Sequence, residues 1–206
     1  MLRKAFTLAE ILITLAIIGV VAALTIKAVQ NASWDMQQKA QFKKVISTIG
    51  NALDGIRADL GYFPDCRYGL PAGSATDDCT FFWAEFKKKL NIIKTCTSNA
   101  YSGGCIPYYP EGYTQTCPNF SQVNIQNALP AYVLSDGAII MNYSLNHPLM
   151  LVDINGKTPP NKMGYDVFEM RFHGNNTYTK ISSYNCIDPP EPGGMTSRQM
   201  FAAISQ

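Results

Sequence analysis

The chain has 206 residues and a formal charge of +2, from 17 Lys or Arg residues against 15 Asp or Glu residues. This length suits one domain plus an anchor rather than two independent cores. The near-neutral balance gives no support to nucleic-acid binding, so no nucleic-acid partner is expected. The basic run Lys87-Lys88-Lys89 is typical of the solvated face of a short helix.

The N-terminal segment is the most informative part of the chain. Arg3 and Lys4 precede an apolar run from Phe6 to Ile26 in which Glu10 is the one charged residue. The run is long enough to cross a bilayer as a helix, which takes roughly 20 apolar residues, and the two cations place its start in the cytoplasm. A secretory signal has its small-residue cleavage site after the apolar core. Here Ala5 comes before the run, so a cut at that point would retain the hydrophobic helix.

The segment after Phe6 is predicted to form one long helix. No proline occurs before Leu60, and beyond Ile26 the apolar residues recur every three or four positions among polar ones. This spacing indicates a helix that is apolar in its first half and amphipathic in its second. Gly61 and Pro64 are predicted to end it.

The region from 61 to 125 is rich in Gly, Pro, Tyr and Cys, and is predicted to consist of loops with one short helix. Asp77 and Asp78 are the candidate caps of that helix. Its predicted apolar stripe consists of Phe81, Phe82, Phe86 and Leu90.

Strand patterns begin near Ala131. The sequence predicts a hairpin over 132–141, a third strand over 149–153, and a second hairpin formed by 167–172 and 177–181. Neighbouring strands with short turns favour an antiparallel sheet. The predicted fold class is therefore α+β, with a long N-terminal helix packed on a small antiparallel sheet and a cysteine-rich loop region. The tail after Asp188 is predicted to be a loop followed by a short helix.

The cysteines all lie beyond the apolar run. Their even number, in the part that the leader charges place outside the cytoplasm, indicates disulfides in an oxidising compartment. No Cys-x-x-Cys spacing supports redox or zinc-finger chemistry. All pairings stay open, as do free thiols in an organism without a disulfide-forming pathway. The disulfide candidates are Cys66, Cys79, Cys96, Cys105, Cys117 and Cys186.

The segment between the third and fourth predicted strands holds a candidate metal site. Asp153, Asn155 and Asp166 supply hard oxygen donors near a glycine turn, the ligand type that calcium prefers. The spacing is not that of an EF-hand, since the third acidic position and the closing Glu are missing. In the alternative, these side chains hydrogen-bond their own backbone and lock the loop. Calcium is thus a candidate cofactor, and no cofactor is required.

Catalysis has no motif in this chain. His147 and His173 neighbour no nucleophile motif, and the sequence contains no Gly-x-Ser-x-Gly, His-Glu-x-x-His, P-loop or Rossmann fingerprint. The chain is therefore predicted not to be an enzyme.

The string from Lys4 to Glu10, Lys-Ala-Phe-Thr-Leu-Ala-Glu, followed by an apolar helix, resembles the signal of type IV pilins and type II secretion pseudopilins. The resemblance implies that a prepilin peptidase cuts between Ala5 and Phe6 and methylates the new amine of Phe6. It also implies that Glu10 guides assembly. The family usually has Gly where this chain has Ala5, and many members have a Pro where it has Lys27.

The loop over 153–168 also resembles a pattern found in pseudopilin-like proteins, Asp-x-Asn-Gly followed by Pro-Asn-x-x-Gly-x-Asp-x-Phe. Some related pseudopilins bind calcium in their C-terminal loops, and the resemblance implies the same candidate role here.

The expected organisation is a leader at 1–5, a transmembrane and assembly helix at 6–26, and an extracytoplasmic head at 27–206. The predicted function is a structural subunit of a pilus or pseudopilus filament, anchored in the inner membrane. Its expected partners are the prepilin peptidase, other subunits and the inner-membrane assembly machinery. The alternative is a non-polymerising, membrane-anchored binding or adhesion module, with the Tyr-rich run 108–113 as its contact loop. Tyrosine in a disulfide loop is more often a packing residue, which is the other interpretation of this run.

Overall fold

The structure is a computed structural model that describes residues 7–64, 79–109, 130–142, 149–174, 179–183 and 192–205. The helices in these ranges are α1 (Leu8–Leu60), α2 (Cys79–Lys88) and α3 (Ser197–Ile204). The strands are β1 (Ile92–Cys96), β2 (Ala131–Leu134), β3 (Ile139–Asn142), β4 (Leu149–Asp153), β5 (Val167–Gly174) and β6 (Thr179–Ser183). The chain divides into two compact units, Met1–Gln38 and Lys39–Gln206, and the division falls within α1.

The six strands form one sheet in the order β1-β2-β3-β4-β5-β6, and every neighbouring pair is antiparallel. The α+β fold class is therefore confirmed. Strand β1 is a correction, because the sequence placed Ile92–Cys96 among loops. Three of its five side chains are exposed, so it lacks an alternating pattern, and it pairs with β2 far along the chain instead of forming a hairpin.

A first hydrophobic core lies between the sheet and the second half of α1. Phe42, Val45, Ile49, Leu53 and Ile56 recur at helical spacing and are at most 1 % exposed. They pack with side chains of α2 and the sheet in one cluster. The predicted amphipathic half of the helix thus faces the core that the fold needs.

Helix α2 confirms the predicted short helix, with one change in its apolar stripe. Phe82, Phe86 and Leu90 are buried, whereas Phe81 is 39 % exposed and Trp83 packs in the core in its place. The candidate caps at 77 and 78 lie outside the described residues.

A second hydrophobic core covers the opposite face of the sheet. The sequence did not predict this second core. Successive side chains of a strand point to opposite faces. In β4, Met150 and Val152 therefore join the first core, while Leu149 and Leu151 join the second. The second core is completed by the loop after β1, from which Cys96, Ala100, Cys105, Ile106 and Tyr109 contribute. Both faces of the sheet are consequently covered.

The ends of the elements follow local signals. Gly61, with φ +74°, comes directly after α1 and donates its N–H to Arg57 O at 2.9 Å, as the predicted stop requires. At the tail, Thr196 and Gln199 form a capping box at the start of α3, which confirms the short helix predicted there.

Candidate functional site

The start of α1 is organised around Thr7 and Glu10. The Thr7 backbone N–H and hydroxyl both donate to Glu10 Oε2 at 2.8 Å, and the Glu10 N–H donates to Thr7 Oγ1 at 3.3 Å. This reciprocal arrangement is a capping box, which satisfies N–H groups that have no partner within the helix. The Glu10 carboxylate is therefore held at the helix N-terminus, where the helix dipole favours negative charge.

The helix that follows has the length and composition of a membrane span over Leu8–Ile26, which is 19 residues. Its large aliphatic side chains are between 48 and 79 % exposed. So many exposed apolar side chains in one segment indicate a surface that is covered by lipid or by other helices. The predicted cleavage residues Ala5 and Phe6 lie outside the described residues, so their roles stay predictions.

The structure brings together the two aspartates of the predicted metal loop. Asp153, the last residue of β4, is 0 % exposed. Its Oδ2 accepts the Tyr109 hydroxyl at 2.8 Å and its Oδ1 accepts the Asn155 N–H at 3.2 Å. Burial, together with the charge of Asp166, raises the pKa of Asp153 to about 8.

Asp166 closes the other end of this loop and is also 0 % exposed. Its two oxygens accept the backbone N–H groups of Asn161 and Lys162, both at 2.6 Å. Its backbone oxygen accepts the Ile154 N–H at 2.9 Å, which ties the two ends of the loop together. Burial raises the pKa of Asp166, while these N–H donors oppose the shift.

These contacts decide how well the loop suits calcium, which takes six to eight oxygen ligands. All four carboxylate oxygens of Asp153 and Asp166 already accept an O–H or N–H. Among the described residues, the buried side-chain oxygen Asn155 Oδ1 lacks a hydrogen-bond partner, and no group of three or more His, Cys, Asp or Glu could hold a metal. This donor set fits a locked loop better than a calcium cage, and calcium stays a prediction.

The cysteines form disulfides wherever the structure describes them. Cys96 and Cys105 are bonded to each other and close a loop directly after β1. Cys79 is also disulfide-bonded. The other three candidates, Cys66, Cys117 and Cys186, lie outside the described ranges, so their pairing stays open.

The Tyr-rich run divides into residues with different environments. Tyr108 is 50 % exposed, but Tyr109 is 2 % exposed and bonded to Asp153, so the prediction that Tyr109 belongs to a contact loop is wrong. Residues 110–113 and His147 lie outside the described residues.

Two residues that contribute to these sites, Thr7 and Tyr109, were not identified from the sequence. The Thr-x-x-Glu spacing of Thr7 and Glu10 is a readable capping-box signature. Tyr109 meets Asp153 across 44 positions of the chain, and no local pattern indicates such a contact.

Comparison with known proteins gives one finding. Residues 1–26 match the family model described as "Prokaryotic N-terminal methylation motif". No curated protein and no solved structure matches the chain. The match covers the leader, the capping box and the apolar span, and it confirms the resemblance drawn from the residues. The chain carries the prepilin signal, which indicates a type IV pilin-like or pseudopilin precursor.

Proposed function

We propose that this chain is a structural subunit of a type IV pilus-like or type II secretion pseudopilus filament. The observation that carries the proposal is the exposed apolar helix Leu8–Ile26 with a single carboxylate, Glu10, in its first turn. Such a helix can leave lipid for a bundle of similar helices while its apolar side chains stay out of water. The subunit acts by polymerising, and it has no catalytic role.

Processing comes first in this mechanism. The prepilin peptidase cuts between Ala5 and Phe6, removes the cations Arg3 and Lys4, and methylates the amine of Phe6. Removal of the leader places a new amine close to Glu10 in sequence. The match of residues 1–26 to the methylation motif supports this step.

Assembly then exchanges the partners of Glu10. In the single chain its carboxylate accepts the N–H and hydroxyl of Thr7. In the filament it meets the Phe6 amine of a neighbouring subunit, and this ion pair sets the axial register. A charged group within an apolar environment is costly unless it is paired, so only the correct register satisfies both groups.

The proposed organisation is a leader at 1–5, an assembly helix at 6–26 that anchors the precursor in the inner membrane, and an extracytoplasmic head at 27–206. The Cys96–Cys105 disulfide supports this orientation, because disulfides persist mainly in oxidising compartments. Other subunits and the inner-membrane assembly machinery are the further partners.

The test is assembly of Glu10→Ala and Glu10→Gln subunits, measured by the amount of this chain in sheared filaments relative to the membrane fraction. Both variants should remain in the membrane and be depleted from filaments, since Gln keeps the shape but not the charge. Asp35→Ala, which removes an exposed acid of α1 outside the span, is the control and should assemble. Wild-type assembly of Glu10→Ala would contradict the proposal.

A non-polymerising membrane-anchored binding module is the second candidate. The observation that favours it is the pair of exposed rings Tyr101 and Tyr108. The two candidates differ in one observable, because only a filament subunit occurs in sheared filaments.

A further inference from the structure

The loop closed by the Cys96–Cys105 disulfide presents a defined surface. Its backbone is fixed internally, since Gly103 N–H donates to Asn99 O at 2.7 Å and Gly104 N–H donates to Tyr101 O at 2.9 Å. Both cysteines are buried in the second core. The loop is therefore held from below by the core and across its base by a covalent bond.

Two lysines meet at this loop. Lys157 Nζ donates to Gly104 O at 2.5 Å, and Lys94 Nζ donates to the same oxygen at 3.3 Å. A Cβ added to Gly104 would also lie 3.4 Å from Lys94 Nζ and 3.9 Å from Lys157 Nζ. The two ammonium groups are thus close neighbours on a single carbonyl.

Within the described ranges, the charges of these lysines are not balanced by an ion pair. Both side chains are exposed, and no carboxylate of the described residues forms an ion pair with either one. An ammonium group has three donors, so each lysine retains donors beyond its bond to Gly104 O. Two adjacent like charges repel each other, and an anionic group between them would relieve that repulsion.

Two exposed aromatic rings belong to the disulfide loop and to the segment that follows it. Tyr101 and Tyr108 are 46 and 50 % exposed, and their ring centroids are 6.1 Å apart at an interplanar angle of 64°. The Tyr101 carbonyl accepts the Gly104 N–H, so Tyr101 lies in the same turn as the Gly104 carbonyl to which both lysines donate. Each ring offers an apolar body and a polar hydroxyl edge. We call Lys94, Tyr101, Tyr108 and Lys157 the Tyr–Lys surface.

We propose that the Tyr–Lys surface binds an acidic polysaccharide. A carboxylate of the glycan lies between the two ammonium groups, and the adjoining sugar ring packs its C–H face against an exposed tyrosine ring. Both ligand features are required, because the lysines alone give no shape and the rings alone give no charge selectivity. This inference does not depend on polymerisation, since a filament or a single anchored chain could present the surface.

Nucleic acid fits this surface less well. Its affinity for proteins grows with the number of phosphates neutralised, and this surface supplies two cations in a chain whose formal charge is only +2. Two rings inclined by 64° also do not offer the parallel faces on which successive bases stack.

Binding to the full chain in detergent tests the proposal, with oligogalacturonate as the acidic glycan, dextran as the neutral glycan and single-stranded DNA of equal charge as the rival polyanion. Wild type should bind oligogalacturonate more tightly than either of the others. Lys94→Gln/Lys157→Gln should weaken this binding by about tenfold, on the scale of two exposed ion pairs. Tyr101→Ser/Tyr108→Ser should weaken it without changing its salt dependence.

The matched control is Lys43→Gln/Arg198→Gln, which removes two exposed cations elsewhere in the second unit and should bind as wild type does. Near-UV circular dichroism checks that every variant is folded. Equal loss in the control, or absence of oligogalacturonate binding, overturns the proposal. Tighter binding of DNA would assign the surface to nucleic acid, equal binding of dextran would remove the role of the lysines, and altered self-association of the variants would make the surface an interface between copies. Each of these three results also overturns it.

Discussion

The Cys96–Cys105 disulfide should stabilise the second unit more than any metal bound at the Asp153–Asp166 loop. The two cysteines are nine positions apart. Closing a loop of that length removes about 2.5 kcal/mol of unfolded-state freedom in the chain-entropy model. For a unit the size of Lys39–Gln206, each kcal/mol shifts the melting temperature by roughly 2–4 °C. Cys96→Ala/Cys105→Ala should therefore lower it by about 5–10 °C.

The structure also indicates which part of the second unit should be affected when the disulfide is removed. The disulfide loop contributes to the second core, and the segment that follows it contains Tyr109, whose hydroxyl donates to the buried Asp153. Without the disulfide, the segment that holds Tyr109 should loosen, so Asp153 should lose that donor and gain contact with water. The effect on stability should therefore reach the turn after β4 and not remain at the surface.

Thermal unfolding of the full chain in detergent, followed by near-UV circular dichroism, measures the effect. The control Ser98→Ala/Ser102→Ala changes two exposed residues of the same loop and leaves the disulfide intact, so it should melt close to wild type. A chelator added to wild type should shift the midpoint less than the double cysteine variant does. A larger shift on chelation, with no change in the cysteine variant, would refute the reasoning and favour a calcium site.

Three further predictions concern stability. With a chelator present, the melting temperature should fall as pH rises from about 4 towards 8. The reason is that folding raises the pKa of Asp153 from 3.8 to about 8, so between these pH values the folded chain holds a proton that the unfolded chain releases. Asp153→Asn should reduce the dependence of the melting temperature on pH. A melting temperature that rises with pH over this window would contradict the prediction. Gly156→Ala should lower the free energy of unfolding measured by denaturant titration, because φ is +68° and the new Cβ would lie 2.2 Å from Gly137 O. Gly61→Ala is the control: its φ is +74° but the space around it is open, so it should lower the free energy of unfolding by less. Phe42→Ala should cost about 3–5 kcal/mol of unfolding free energy in that titration, and a cost below 1 kcal/mol would mean that α1 does not support the first core.

The strands and helices with regular patterns could be predicted from the sequence. The apolar positions from Phe42 to Ile56 recur at helical spacing, and β4 has the bounds 149–153 that the sequence indicated. Such patterns are local consequences of backbone geometry, since side chains alternate across strands and recur every three to four residues on helices.

The second core could not be predicted in the same way. It depends on β1 pairing with β2, on the disulfide that follows β1, and on the contact between Tyr109 and Asp153. Each of these links joins residues that are distant in the chain or lie in an irregular loop, where no periodic pattern exists. The loop acids could be identified from the sequence, but their burial and the contact of Asp153 with Tyr109 required the structure.

Glu10 could be predicted as the key acid, whereas its partner Thr7 was missed. A lone carboxylate in an apolar run draws attention because of its cost. The Thr-x-x-Glu spacing does indicate a capping box, but Thr7 is one of several Thr residues in the segment, and the reciprocal bonds at the helix start identify it as the partner.

The central claim is that the chain is processed as a prepilin and then polymerises. Mass spectrometry of the N-terminal peptide from sheared filaments tests both parts in one measurement. We predict a chain that starts at Phe6 and carries one methyl group on its amine. Filaments that lack this chain, or an intact Met1 start in cells with an active prepilin peptidase, would contradict the account.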